Sequence, residues 1–358
     1  MTDQVQFTIT PDLLAVLGTI SGKPLSPVSP LRYGTATDTA AGTGQLAALG
    51  ICNADGTVAA DKKAAVSTLA QAEGFTRIYL TTPSRVIEYI AYFGPDGTVA
   101  GVTNDGGMQV VTFPAPNDAM LELIRQTIGF SRFRSAPFAA RLSPAETLVF
   151  SAIVDLQRRE MLRKFADGNP AGRLAVSGNE ILAMLKTRPG TIQWLSGAFV
   201  DLLSQKRIPK PAAVDGIVAS LASKGLVTTS GEGCLLADEG VLLARTHLIP
   251  SMYLTLTTGK GQPSGKTNVT GFSCIISGVH DLLSIDHHAD EVELESVSSA
   301  FVAEYAKTFL NDRAVLSALD TESPGAPAGG NERRFCPQCG GTVRPGLKFC
   351  SSCGAKIS

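Results

Sequence analysis

The feature that most restricts the fold is a pattern that occurs twice. "LAALGICNADGTVAADKKAAVSTLAQAEGFTRIYLTT" (46–82) overlays "LASKGLVTTSGEGCLLADEGVLLARTHLIPSMYLTLTT" (221–258) with one single-residue gap. Both run through a helix end with Leu, an apolar pair, a Gly-bearing turn (Gly56, Gly231), a short helix and a strand ending Leu-Thr-Thr. Gly50 and Gly225 fall just past the helix ends, where the chain turns left-handed and a Cβ would clash. Both copies continue into β-branched and aromatic runs, "VIEYIAYF" (86–93) and "NVTGFSCIIS" (268–277). Each closes with a helical pattern, "DAMLELIRQTIG" and "ESVSSAFVAEYAKTFL". The expected fold class is therefore α/β in the α+β sense, with two pseudo-repeats of helices plus antiparallel sheet.

A helical stretch separates the copies. "SPAE" (143–146) is a capping box, with Ser143 as cap, Pro144 in the first turn and Glu146 reaching back, and it opens "LVFSAIVDLQRREMLRKF". "SGNE" (177–180) repeats the device before "ILAMLK", and "TIQWLSGAFVDLLSQK" and "AAVDGIVASLASKG" follow. Helices leading into a short ribbon that runs on into a helix resemble a winged helix over about 70 residues of the second copy, and more weakly in the first. A DNA-reading helix needs Arg, Lys, Asn or Gln towards base edges. "AAVDGIVASLASKG" offers Lys224 at its end and Asp215 near its start. Lys206, Arg207 and Lys210 precede it, the "TTSGEG" wing has no base, and "TATDTAAGTGQLAALG" in the first copy has no cation. This composition favours protein docking, and a DNA-associated regulator is the alternative.

Beyond "TESPGAPAGGNE" (321–332), a Pro/Gly/Ala-rich linker, the tail "FCPQCGGTVRPGLKFCSSCGAKIS" (335–358) carries four of the seven cysteines. Cys336 and Cys339 form one Cys-x2-Cys pair, and Cys350 and Cys353 the other. Two intervening residues let a tight turn bring both thiolates onto one ion, and Gly340 and Gly354 relieve the turns. The repeated F-C-x-x-C-G resembles the short zinc ribbons that end many bacterial and archaeal proteins. That resemblance implies one structural Zn2+, because four thiolates close the tetrahedron and leave no open position for catalysis. A rubredoxin-type iron centre uses similar ligands at similar spacing. Arg333, Arg334, Arg344, Lys348 and Lys356 face one acid, Glu332, so the tail is mildly basic once the −2 of a zinc tetrathiolate is counted. The expected organisation is 1–135 and 136–320 as α+β repeats, 321–334 as linker and 335–358 as ribbon.

Other constellations weigh less. "GKGQPSGKT" (259–267) approaches a phosphate-binding loop around Lys266, yet Gly259 is one residue early and Gly261 one late. The run after it is strand-like, so a long hairpin loop is expected and a nucleotide-binding enzyme is the weakest alternative. "SIDHHADEVELE" (284–295) holds His287 and His288, which on a strand would point to opposite faces. It reads as a polar loop with acids near a helix N-terminus. No Gly-x-Ser-x-Gly or His-Glu-x-x-His motif occurs, and His247 and His280 have no legible partner.

A formal charge of −1, with 44% apolar and 18% charged residues, gives a globular chain without general attraction to nucleic acid or anionic lipid. No membrane span and no secretory signal are expected. Isolated Cys52, Cys234 and Cys274 fit a reducing cytoplasmic location. A layout of duplicated helices and antiparallel sheet resembles the EspG-type chaperones of type VII secretion, a family without a zinc-ribbon tail. That resemblance implies a non-enzymatic, chaperone-like adaptor whose partner is another protein.

Overall fold

A computed structural model describes residues 4–32, 38–82, 84, 86–129, 131, 137–187, 193–203, 207–231, 233–277, 281–287, 290–311, 313–317, 319, 334–335 and 342–343. The first half runs β1 (Val5–Ile9), α1 (Pro11–Ile20), a 3-10 turn at Pro30–Arg32, α2 (Thr39–Ala48) and α3 (Lys63–Ala70). Four strands follow, β2 (Gly74–Thr81), β3 (Val86–Phe93), β4 (Val99–Asp105) and β5 (Met108–Phe113), and then α4 (Asn117–Ile128).

The second half opens with β6 (Ala139–Leu142) and the helices α5 (Pro144–Ala166), α6 (Gly178–Thr187), α7 (Leu195–Leu203) and α8 (Val214–Ser223). The ribbon β7 (Val227–Ser230) and β8 (Gly233–Leu236) leads into α9 (Asp238–Thr246). Strands β9 (Met252–Gly261), β10 (Thr267–Ser277), β11 (Asp281–His287) and β12 (Val292–Val297) then precede α10 (Ser299–Asn311) and α11 (Ala314–Ser317). In the tail, β13 (Arg334–Phe335) pairs with β14 (Thr342–Val343).

Local chemistry places the helix ends as expected. Both halves of the Ser143–Glu146 box form, with Ser143 N donating to Glu146 Oε2 at 2.6 Å and Glu146 N to Ser143 Oγ at 3.3 Å. The Ser177–Glu180 box closes in the same way. Thr10 caps α1 with Pro11 at its first position. Gly50 (φ 67°) and Gly225 (φ 74°) end α2 and α8 in the left-handed region.

The fold is α+β around one antiparallel sheet, ordered β1-β5-β4-β3-β2-β9-β10-β11-β12-β6. Its centre is the β2–β9 pair, eight residues in register from Gly74↔Lys260 to Thr81↔Tyr253. The two halves therefore share one sheet. Counted inward from either edge, a short N-terminal strand of each half is followed by that half's meander in reverse.

One face of the sheet is covered by α4 and α10. Ile78 and Leu80 on β2, with Leu254, Leu256, Cys274 and Ile276, pack there against Ile124, Phe301 and Phe309. The other face is covered in two separate places. Helices α1 and α3 lie on Phe7, Ile9, Ala100, Val102 and Val111, and α5–α9 lie on Ile275, Leu283, Ile285 and Leu294. None of the described helices is long and apolar enough to cross a membrane.

The ribbon is tied to the chain entering α6. Val176 N donates to Cys234 O at 2.8 Å and Cys234 N to Val176 O at 2.9 Å. Gly233 permits this approach, since at φ 140° a Cβ would run into the Val176 carbonyl. Gly233→Ala is expected to cost about 1–3 kcal/mol from backbone strain alone. Gly231→Ala, which would meet nothing within 4 Å, should stay near wild type in the same thermal melt.

Candidate functional site

Between the two helical groups lies a strip at the middle of the β2–β9 junction, where no described helix makes extensive contact with β2. Arg77 and Tyr79 alternate along β2 on this face, and their partners across the junction are Thr257 and Thr255. Glu88 on β3 and Asn104 on β4 face each other on the same side. All are half-buried except Asn104, which is exposed.

Arg77 Nε donates to Glu88 Oε1 at 2.6 Å, and Asn104 Nδ2 donates to Glu88 Oε2 at 3.2 Å. The guanidinium also lies 4.4 Å from the centroid of the Tyr79 ring, in cation–π contact. Burial opposes ionisation of Glu88, but donation from Tyr79, Arg77 and Asn104 outweighs it and holds the carboxyl below its ordinary range. Burial, reinforced by Glu88, pushes the Tyr79 phenol up, so it stays a neutral donor. The strip thus presents a fixed charge pair, an aromatic ring and threonine hydroxyls, which are groups suited to recognition.

Beside it opens a cleft of ≈ 420 Å3 whose floor is Phe75, Ile90, Tyr92 and Val102. Arg77, Glu88, Asn104 and Gln109 form its polar rim, and Val28 and Pro30 one wall.

The sequence-derived candidates fall elsewhere. Cys336, Cys339, Cys350 and Cys353 lie outside the described residues, as do Arg333, Arg344, Lys348 and Lys356. The neighbouring pairs Arg334↔Val343 and Phe335↔Thr342 bracket the first two cysteines. Among the described residues no group of three His, Cys, Asp or Glu is placed to hold a metal.

Residues 259–267 form a hairpin shorter than expected. Gly259 to Gly261 belong to β9, Thr267 pairs with Gly261, and Gln262–Lys266 alone make the loop. Gln262 N and Gly265 N donate to carbonyls within that loop, to Lys266 O at 2.8 Å and Gln262 O at 2.9 Å.

The stretch 284–295 departs from its expectation of a polar loop at a helix N-terminus. Residues 284–287 belong to β11 and 292–295 to β12, and α10 starts only at Ser299. All six residues of β12 are buried, with Val292 and Leu294 packed against α5–α9 and Glu293 held by Arg141 Nε at 2.7 Å, so both faces are protected and the segment pairs as a strand. His287 pairs with Val292 in the register, and His288 lies outside the described residues.

In the winged-helix-like part, the exposed positions of α8 are Asp215, Gly216, Ala219 and Ser223. None is a side chain that reads base edges with two hydrogen bonds in the manner of Arg, Asn or Gln. Lys224 donates instead to Glu146 Oε2 at 2.8 Å and to Arg141 O at 3.0 Å.

Sequence reasoning missed two polar clusters. Arg77–Glu88 would follow from the β2–β3 hairpin register, which places oppositely charged residues on adjacent strands. Asp155 and Arg158 are both buried, in α5. Their signal was an acid inside the apolar run 148–156 with a cation three residues on. His247 completes that region at 1% exposure, its Nδ1 3.1 Å from Thr246 Oγ1.

Comparison with models of known protein families gives no match, and comparison with curated protein sequences gives none either.

Proposed function

We propose that the protein is a non-enzymatic adaptor or chaperone-like molecule that binds another protein across the uncovered strip of its central sheet. The carrying observation is that strip, where Arg77, Tyr79, Glu88 and Thr257 stand between two helix-covered regions. Aromatic and Arg side chains at such positions are the usual energetic centres of protein interfaces.

The body reads as a duplication of one helix-plus-sheet unit with winged-helix-like helices, and the matching order of strands from both sheet edges supports this. The same layout is the basis of the resemblance to EspG-type chaperones. Buried, unpaired Cys52, Cys234 and Cys274 support a reducing, cytoplasmic setting.

The tail is read as a zinc ribbon in which Cys336, Cys339, Cys350 and Cys353 hold one structural Zn2+. The short β13–β14 pair on either side of Cys336 and Cys339 supports this. When bound, the ion supplies cross-linking and no open coordination site.

Two measurements test these readings. The full chain recovered from its own cells should carry a protein partner in stoichiometric amount. Tyr79→Ala combined with Thr257→Glu should weaken that complex by about tenfold or more, with binding read well below the variant's own melting temperature, where its circular dichroism matches that of the folded wild type. Unchanged affinity would remove the strip as the site. Metal analysis should find about one zinc per chain, lost in Cys336→Ser/Cys353→Ser while the body still melts cooperatively. No bound zinc in the wild type would remove the ribbon.

A further inference from the structure

In the second half the β7–β8 ribbon receives an extra strand-like segment along its outer edge. There Cys234 exchanges both backbone hydrogen bonds with Val176, at 2.8 and 2.9 Å. The same segment is held from α5, where Gln157 accepts from Leu174 N at 2.7 Å and donates to Gly172 O at 2.9 Å. Val176 is 1% exposed, and Arg173, three residues earlier, pairs with Asp238 at the start of α9.

The first half has the matching edge with nothing described on it. Counted back from the two Leu-Thr-Thr ends, Val58 falls opposite Cys234, and Lys62 and Lys63 fall opposite Asp238 and Glu239. Val58 bridges Cys52, with Asn53 N donating to Thr57 O at 2.7 Å and Ala59 N to Ile51 O at 3.0 Å. In that pattern the N–H and C=O of Val58 point away from Cys52. Neither makes a hydrogen bond among the described residues. Beside Val58 opens a cleft of ≈ 890 Å3 between the end of α1, this turn and α3. Ile20, Val58, Ala64 and Val66 give it apolar surface, and its charged lining is Lys23 and Lys63.

An unpaired strand edge beside apolar surface takes an extended peptide through main-chain bonds, and the flanking side chains select its sequence. The charge at the start of α3 is the reverse of that at α9, so complementarity asks for an acid where Arg173 stands in the second half.

We propose that Val58 pairs with an extended, antiparallel segment of a partner protein that carries Asp or Glu three residues before an aliphatic side chain. The aliphatic residue takes the place that Val176 has beside Cys234, and the acid faces Lys63. The inference rests on the reading of the body as a duplicated, protein-binding unit, and not on the strip at Arg77 and Tyr79.

The probe is a synthetic peptide of residues 170–178 carrying Arg173→Glu, compared with the unchanged peptide PAGRLAVSG. Titrated into the full chain, the charge-reversed peptide should shift the Val58 backbone amide and the Ile20 and Val66 methyls, saturating at about millimolar concentration. It should bind at least about threefold tighter than the unchanged peptide. Methylating the peptide nitrogen at position 176, which removes the N–H that meets Val58 O, should weaken it by about tenfold. Lys63 is exposed, so Lys63→Glu should keep the fold and reverse the preference between the two peptides. Tyr79→Ala/Thr257→Glu should leave peptide binding unchanged, so a failure of the strip and a failure of this edge are read separately. No saturable shift at Val58, equal binding of the two peptides, indifference to N-methylation, or shifts confined to the strip would each overturn the proposal.

Discussion

Asp155→Ala is expected to destabilise the body by about 3–5 kcal/mol, the cost of leaving a buried charge without its partner. The Asp155 side chain is 0% and that of Arg158 3% exposed. Asp155 also accepts from Leu195 N at 3.2 Å, Ser196 N at 2.8 Å and Ser196 Oγ at 2.7 Å, which satisfies the first amides of α7. Arg158 Nη2 in turn donates to Gln193 O at 2.6 Å and Leu248 O at 3.0 Å. The pair thus fastens α5 to the start of α7 and the end of α9; alanine removes the Asp155 contacts to the start of α7 and leaves Arg158 buried without its counter-charge. The melting temperature should fall by on the order of 10 °C. Asp155→Asn/Arg158→Met, which removes both charges and keeps volume, should recover part of the loss, since a buried ion pair often equals a packed apolar pair in stability. A loss below about 1 kcal/mol for Asp155→Ala would mean that water reaches the Arg158 guanidinium.

Much of the architecture was legible because the signals were local. Ser143 and Glu146, Ser177 and Glu180, and Gly50 and Gly225 act within a few residues of themselves, and the structure puts each where its chemistry requires. The strand after Lys266 was legible for the same reason, since "NVTGFSCIIS" has no helical stripe. Longer-range facts were not legible. Nothing in "TRIYLTT" or "LTLTTGK" states that β2 will pair with β9 across the midline, because backbone pairing leaves no residue-type signature. The uncovered strip follows from that pairing and from where two helical groups end, so it too is absent from any single window. The 284–295 hairpin was misread because two histidines and several acids suggest a loop. Burial of alternate residues against α5–α9, together with Arg141, makes those charges tolerable in strands.

Acid should lower the protein's stability in two separable pH windows, set by His247 and Glu146. Burial and the neighbouring Arg158 charge push His247 down to about 4, so the folded protein holds it neutral while the unfolded chain protonates it near 6.5. The unfolded state therefore binds more protons between these values. Stability declines as pH falls through this window, by about 3 kcal/mol in total at 1.36 kcal/mol per unit. Glu146 acts lower. Burial alone would raise it, but donation from Lys224, Ser220 and Ser143 holds it at about 2 against 4.5 unfolded. Its contribution, again about 3 kcal/mol, is complete above 4.5 and is lost as pH falls towards 2. His247→Leu should flatten the melting-temperature profile between pH 6.5 and 4.5 and leave the lower fall intact. Glu146→Gln should lower stability at pH 7, by freeing Lys224 and half of the capping box, and should flatten the profile only below 4.5. A His247→Leu profile parallel to wild type would show that the imidazole is hydrated and titrates alike in both states. A Glu146→Gln profile that still falls steeply below 4.5 would assign the acid limb to other carboxylates.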